Sequence, residues 1–196
     1  MSHFNEVANS WDSPQKIERS KRFANEIKKE VQLDNNLDIM DFGCGTGVLG
    51  FEFIESAKSL LGIDTSQGML DVFDQKASKL ASIESKNINL EIDELDQKFD
   101  LIMSSMAFHH LDHPDKMLSK FSKMLNVGGK ILIIDLETED GTFHPDNDGM
   151  GVKHYGFSKD DLSRWGRNAG LSFSCKTVDE IIKNERSYNL FLSVFY

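Results

Sequence analysis

Residues 38–53 read DIMDFGCGTGVLGFEF, an apolar run broken by four glycines within eight positions. Glycine weakens strand and helix alike, so such a cluster marks a turn with unusual backbone angles or a close approach to a ligand. The flanks supply the context: "LDIMDF" (37–42) predicts a strand and "VLGFEFIESA" (48–57) a helix. A strand–turn–helix loop of this kind aims backbone N–H groups at a ligand. Two registers compete. Gly45–Gly50 is a literal G-x-G-x-x-G dinucleotide fingerprint, whereas Asp41–Gly47 places a carboxylate directly ahead of the glycines. Asp64 ends the next strand, 19 residues after Gly45, where a carboxylate accepts both hydroxyls of an adenosine ribose. A tight turn followed by an incidental acid is the bland alternative; strand context, position and Asp64 together favour a ligand.

Outward from this loop, short apolar strands alternate with amphipathic helices. "SLLGID", "NINLEI", "FDLIMSS" and "GGKILIIDLE" predict strands, and "SQGMLDVFDQKASKL" and "DHPDKMLSKFSKML" predict helices. The alternation implies parallel strands with crossover helices in an open, doubly wound sheet. Ahead of the first strand, Ser13-Pro14 opens a helix over about 14–31, with Ile17, Ser20, Ala24, Ile27 and Val31 on one face. After the "GGKILIIDLE" strand the chain changes character. "GTFHPDNDGMGVKHYG" is a polar, glycine-rich loop of the functional kind. Ser158–Asp161 then caps a helix carrying Leu162, Trp165 and Ala169 and closed by Gly170. "LSFSCKTV" and "YNLFLSVFY" predict two final strands with a helical or turn segment between them, the last inserting into the sheet.

The 196 residues, 39% hydrophobic and 28% charged, fit one soluble globular domain. A net charge of -10 argues against a nucleic-acid partner, which needs a basic face. Cys44 and Cys175 stand far apart, with neither metal spacing nor a disulfide framework, as in a reducing compartment. No segment reaches the roughly 18 apolar residues of a membrane span, and "MSHFNEVANSWD" lacks a signal-peptide pattern. A cytoplasmic location is the expectation.

Three points choose between adenosine cofactors. Asp41 would repel a pyrophosphate but welcome a cationic amine. A dehydrogenase usually needs a second substrate domain, for which the chain has no room. The loop follows a long helix instead of opening the chain. All three favour S-adenosylmethionine over a nicotinamide dinucleotide.

The stretches "DFGCGTGVLGFEF" and "LLGIDTSQGML" resemble motif I and its successor in class I S-adenosylmethionine-dependent methyltransferases. "FDLIMSSMAFHHLDHPDKMLSKFSKMLNVGGKILIIDL" continues the likeness in family order. "GFSKDDLSRWGRNAGLSF" resembles the late helix and strand of the small-molecule branch that includes ubiquinone and menaquinone biosynthesis enzymes. The resemblance implies a Rossmann-like, mostly parallel seven-stranded sheet with helices on both faces and an antiparallel C-terminal strand. It implies a single domain over 1–196 with 1–31 as a helical cover. It places Gly43, Gly45 and Gly47 against the methionyl part of the cofactor, with Cys44 and Thr46 in the same cofactor-binding loop and Asp41 near its ammonium. Asp64 would hold the ribose, with Thr65 and Met69 beside the adenine and Asp93 or Glu94 near its amino group. Ser104, Ser105 and Met106 would face the cleft. The family's Asn/Asp-Pro-Pro-Tyr/Phe signature for amino-group methylation is replaced by "SSMAFHHL", which removes that substrate class. The implied products are a methylated small molecule and S-adenosylhomocysteine (SAH), from a monomer or dimer. A non-catalytic cofactor-binding module on the same fold, and an NAD-dependent oxidoreductase, are the alternatives.

Methyl transfer is an in-line displacement, and a base is needed only if the acceptor arrives protonated. His109 and His110, after the fourth strand, either deprotonate an acceptor hydroxyl or simply pack the loop. His144 and His154, with Tyr155, either line the acceptor pocket or lie exposed. Without carboxylate or thiol partners at ligand spacing, the histidines are not expected to hold a metal. Trp11 either closes over the sulfonium or anchors the first long helix, and Phe4 can share the cover. Cys44 reads as a small residue under the loop.

Overall fold

The computed structural model describes residues 3–34 and 36–196. Among these residues seven strands form one sheet: β1 (Leu37–Phe42), β2 (Ala57–Asp64), β3 (Ile83–Asn87), β4 (Phe99–Ser105), β5 (Leu125–Leu136), β6 (Phe173–Lys183) and β7 (Arg186–Phe195). Their order across the sheet is β3-β2-β1-β4-β5-β7-β6. The first five strands pair in parallel, and β7 inserts antiparallel between β5 and β6. This is the doubly wound, Rossmann-like arrangement that the strand–helix alternation predicts.

Among the described residues five α-helices accompany the sheet: α1 (His3–Val7), α2 (Pro14–Lys28), α3 (Gln67–Ala77), α4 (Pro114–Lys123) and α5 (Lys159–Asn168). Strand side chains alternate between two separate cores, as the period of two requires. Ile39, Leu101 and Leu132 pack with α2 and α3 residues such as Ile27 and Phe73. Met40, Ile102 and Ile133 pack with α4 and α5 residues such as Phe121 and Leu162. Helices therefore cover both faces. Ser13 caps α2 by accepting the Lys16 N–H, and Ser158 caps α5 by accepting the Asp161 N–H. None of the described helices is long and apolar enough to cross a membrane.

Three local expectations are corrected. The segment after the glycine loop is not an α-helix but a 3-10 turn over Gly50–Ser56. The Asp41 carboxylate takes the Gly50 N–H at 3.0 Å, and Phe51 and Phe73 crowd Gly47, which holds the backbone tighter than an α-helix. The third strand is Ile83–Asn87, not "NINLEI". As an edge strand it needs only one buried apolar residue, Ile83, while Ile88 and Leu90 belong to the wall beyond its end. Finally, β6 and β7 run longer than predicted, so that of the expected helical or turn segment between them only the turn alternative holds, a two-residue turn at Asn184 and Glu185, both at positive φ.

Candidate functional site

The carboxyl ends of β1, β2 and β4 open on a cleft of about 450 Å³, covered by α1, the segment after it and α2. This is the crevice where open α/β sheets bind ligands. Its floor is the glycine loop. Gly43, Gly45 and Gly47 all adopt the left-handed conformation, at φ +67°, +53° and +83°. Their reasons differ. A Cβ on Gly43 would lie 2.4 Å from Ala107 Cβ, and one on Gly47 would lie 2.4 Å from the Phe51 ring. A Cβ on Gly45 would meet nothing closer than Met69 Sδ and the Trp11 indole nitrogen, both at 3.9 Å. Gly45 is thus the glycine that keeps cavity space open. We expect Gly43→Ala and Gly47→Ala to lower thermal stability by several degrees, roughly 1–3 kcal/mol each. Gly45→Ala should lose less stability but more ligand affinity, which thermal unfolding and calorimetry on the same samples will separate.

Two carboxylates shape this floor. Asp64 Oδ2 accepts the Gly45 N–H at 2.9 Å and Oδ1 accepts the Ser66 N–H at 2.8 Å. Both oxygens keep a further lone pair for a ligand hydroxyl. Burial raises the Asp64 pKa against the opposing pull of these backbone N–H groups. Asp41 is fully buried beneath the loop, and burial, reinforced by the charge of Asp64, pushes its carboxyl up to about 7. Cys44 is buried beside them, and burial pushes its thiol well above the usual range, which disfavours the thiolate.

The N-terminal segment is tied down over the cleft by polar contacts. Asn5 Oδ1 accepts the Gly68 N–H at 2.9 Å and the Ser66 hydroxyl at 2.7 Å, clamping α1 to the start of α3. Asp12 accepts the Thr46 hydroxyl and the Lys76 ammonium, both at 2.5 Å. Phe4 and Trp11 meet edge to face with centroids 5.8 Å apart, and Phe4 touches His110 in the same way at 5.3 Å. The Lys16 ammonium lies 3.1 Å from the centroid of the Trp11 ring. Lys16 and Arg19, from α2, give one wall its positive charge.

At the far end stand the histidines. His109 is buried on a 3-10 turn after β4, and its Nδ1 is 2.7 Å from Oδ1 of Asp135, itself fully buried in β5. The facing carboxylate fixes the proton on Nδ1 and leaves Nε2 without a partner. His110 Nδ1 meets the Gly151 carbonyl at 3.1 Å. Burial, with the neighbouring His109, pushes the pKa of His110 down to about 4; His144 is likewise pushed to about 4, by burial and the other two imidazoles.

The fold brings Trp11, Asp41, Gly43, Cys44, Gly45, Asp64, Thr65, Met69, Ser105, Met106, His109 and His110 to one cavity. Other candidates lie elsewhere. The Thr46 side chain is fully buried toward Asp12, and Gly47 packs against Phe51 and Phe73. Ser104 is buried within β4. Asp93 accepts the Asn89 N–H, and Glu94 pairs with Lys120 in an exposed position. The shifted end of β3 puts Asn89 and Glu91 on the cavity wall instead. His154 hydrogen-bonds the Leu111 carbonyl through Nε2 and stacks on Phe157, holding the loop. Tyr155 is half exposed. Sequence reasoning missed Lys16, Arg19, Asn89, Glu91 and Asp135. Asp135 had a visible signal, a lone acid inside "KILIIDL", where burial demands a partner.

Residues 40–131 match the protein-family model of a methyltransferase domain. An uncharacterised methyltransferase of Schizosaccharomyces pombe is 32% identical over 154 residues, covering 70% of this chain and 54% of that protein. One from Bacillus mycoides is 32% identical over 140 residues, covering 67% of this chain and 65% of that protein. The chain thus spans between half and two thirds of these curated relatives. Among solved structures, a chain of the Haloferax volcanii complex between the Trm112 methyltransferase activator and a methyltransferase superposes with TM-score 0.83 at 15% identity, covering 100% of this chain and 97% of that one. The DhpI–SAH complex gives 0.73 at 16%, covering 98% and 92%. Magnesium protoporphyrin IX methyltransferase from Synechocystis with bound SAH gives 0.68 at 16%, covering 92% and 83%.

Proposed function

We propose that this chain, whose residues 40–131 match a methyltransferase domain and whose fold superposes on methyltransferases, transfers a methyl group from S-adenosylmethionine to a small-molecule acceptor. The observation that carries this reading is the position of Asp64, which accepts the Gly45 N–H within a cleft lined by Trp11 and Met69. The residues fit the cofactor's chemistry. Asp64 has two lone pairs free for a ribose diol, and Gly45 leaves room that a side chain would occupy. Asp41 supports a cationic amine, and Arg19 and Lys16 on the facing wall suit a carboxylate.

When bound, the cofactor supplies a methyl group on a positively charged sulfur that departs as a neutral thioether. What the chain contributes is position and exclusion of water. Alignment of the two reactants in such a site is worth on the order of 7–11 kcal/mol. Phe4, Trp11 and α2 close the cleft from above, and the electron-rich Trp11 face favours cationic groups. Met106, Phe143 and Met150 make the acceptor end apolar, next to His109 and His110. Met106 holds the left-handed conformation at φ +55°, a strained geometry of the kind kept at functional sites. The acceptor is therefore a largely apolar small molecule with one reactive polar atom.

Calorimetric titration with SAH tests the reading: micromolar binding is expected, and folded protein that fails to bind at millimolar ligand overturns it. Arg19→Ala should weaken SAH about tenfold, the loss of one charged hydrogen bond, while leaving the far-ultraviolet circular dichroism unchanged.

A further inference from the structure

We propose that His109, His110 and His144 form a site for one divalent transition-metal ion of the zinc class, with an open coordination position toward the acceptor end of the cleft. The three imidazoles come from two places in the chain, and their ligand nitrogens lie within 4.8 Å of one another. The rings pack directly, with centroids 4.1 Å apart for His109 and His110 and 4.9 Å for His109 and His144. His109 Nε2 and His144 Nδ1 are buried and have no hydrogen-bond partner among the described residues. A buried lone pair with no partner is costly, and a shared cation satisfies both at once.

The tautomers are set for ligation. Asp135 holds the Nδ1 proton of His109, and the Gly151 carbonyl accepts the Nδ1 proton of His110. Each ring is left with its Nε2 lone pair. A carboxylate behind a ligating histidine is the usual outer support of a zinc site, and Asp135 stands there with 0% exposure. A general base would need one oriented imidazole; it gives no reason for the other two to converge on it.

Zinc–nitrogen bonds of about 2.0–2.1 Å bring tetrahedral ligands to ~3.4 Å from each other, so the cluster closes by roughly an ångström on binding. His144 sits in the polar loop between β5 and α5, where such a movement is small. Three protein ligands leave the fourth position for a water or a substrate. On the methyl-transfer reading above, that position takes an acceptor O–H or S–H. The acceptor's proton leaves to water, its anion forms the new bond to the methyl carbon, and the carbon–sulfur electron pair returns to the cofactor sulfur.

The test uses the full chain, free of any affinity tag and stripped with chelator, titrated with Zn²⁺ by calorimetry and with Co²⁺ by visible absorption. One ion per chain is expected, with the intense bands of a four- or five-coordinate Co²⁺ site. His144→Gln and His109→Gln should each weaken binding at least 100-fold and Asp135→Asn about 10- to 100-fold. His113→Gln, outside the cluster, should leave it unchanged. SAH binding is measured on every sample. Wild-type protein that binds SAH but no Co²⁺ overturns the proposal, as does Co²⁺ binding unaltered by His144→Gln. Should the buried His109 variant fail to fold, the half-buried His144 position decides. Co²⁺ binding without SAH binding upholds the metal site and removes the methyl-transfer reading instead.

Discussion

An Asp64→Ala variant is expected to bind SAH at least 100-fold more weakly than the wild type while remaining folded. Two hydrogen bonds from a ribose to an ionised carboxylate are worth about 1.5–3 kcal/mol each, and about 3 kcal/mol already exceeds a factor of 100. The variant also frees the N–H groups of Gly45 and Ser66, which the carboxylate now accepts. The loop then loses the anchor that presents it to the ligand. Asp64→Asn separates the two effects, since its one amide oxygen can keep the Gly45 bond but not the full set. Its affinity should fall between the other two. Calorimetry measures the affinities and thermal unfolding the stability; an alanine variant within threefold of wild type contradicts the assigned role.

Asp41→Asn should have opposite effects on stability and on binding. An exposed carboxyl titrates near 3.9, whereas burial pushes that of Asp41 up to about 7. Between about pH 4 and 7 the folded protein thus holds a proton that the unfolded chain has lost. The stability this proton carries is full below pH 4, falls as pH rises toward 7, and is gone above it. Asparagine keeps an acceptor for the Gly50 N–H without the buried charge. It should stabilise the protein by about 2–4 kcal/mol at pH 8 and by little at pH 4. Ligand affinity runs the other way. A cationic amine favours the ionised form, so wild-type SAH affinity should climb through pH 7 and level off above it. The asparagine variant should lack this climb and bind about tenfold more weakly at pH 8. Denaturant unfolding and calorimetry across pH 5–8.5 give both curves, and a flat wild-type affinity profile would contradict the coupling.

The strand–helix alternation carried most of the architecture, because apolar strands buried on both sides and capped amphipathic helices leave direct marks in composition. β1 and β4 run over Leu37–Phe42 and Phe99–Ser105, as their apolar runs predict. The third strand escaped because an edge strand of IESKN buries almost nothing, while the more apolar residues after it line the cleft. That shift moved the wall's acidic position from Asp93 or Glu94 to Glu91. The glycine loop was legible because glycine and carboxylate positions follow from backbone geometry close by in sequence. The histidine cluster was not. Its members meet only because β5 places Asp135 under His109 and the following loop folds His144 back onto both. Spacing along the chain holds no trace of that meeting.

The insertion of β7 has a consequence for how the protein forms. β5 pairs with β4 on one side, but its other partner is β7, some 50 residues further along the chain. Until that late segment docks, Ile131, Ile133 and Asp135 lie along an open apolar edge, with the Asp135 backbone opposite Phe191 still unpaired. Such an edge recruits strands from other molecules. Removing the last strand should therefore lead to aggregation rather than to a smaller domain, which size-exclusion chromatography of the truncated chain checks. The aspartate that orients His109 takes its final place only when this pairing forms, so the histidine end of the cleft depends on the last strand as the glycine loop does not.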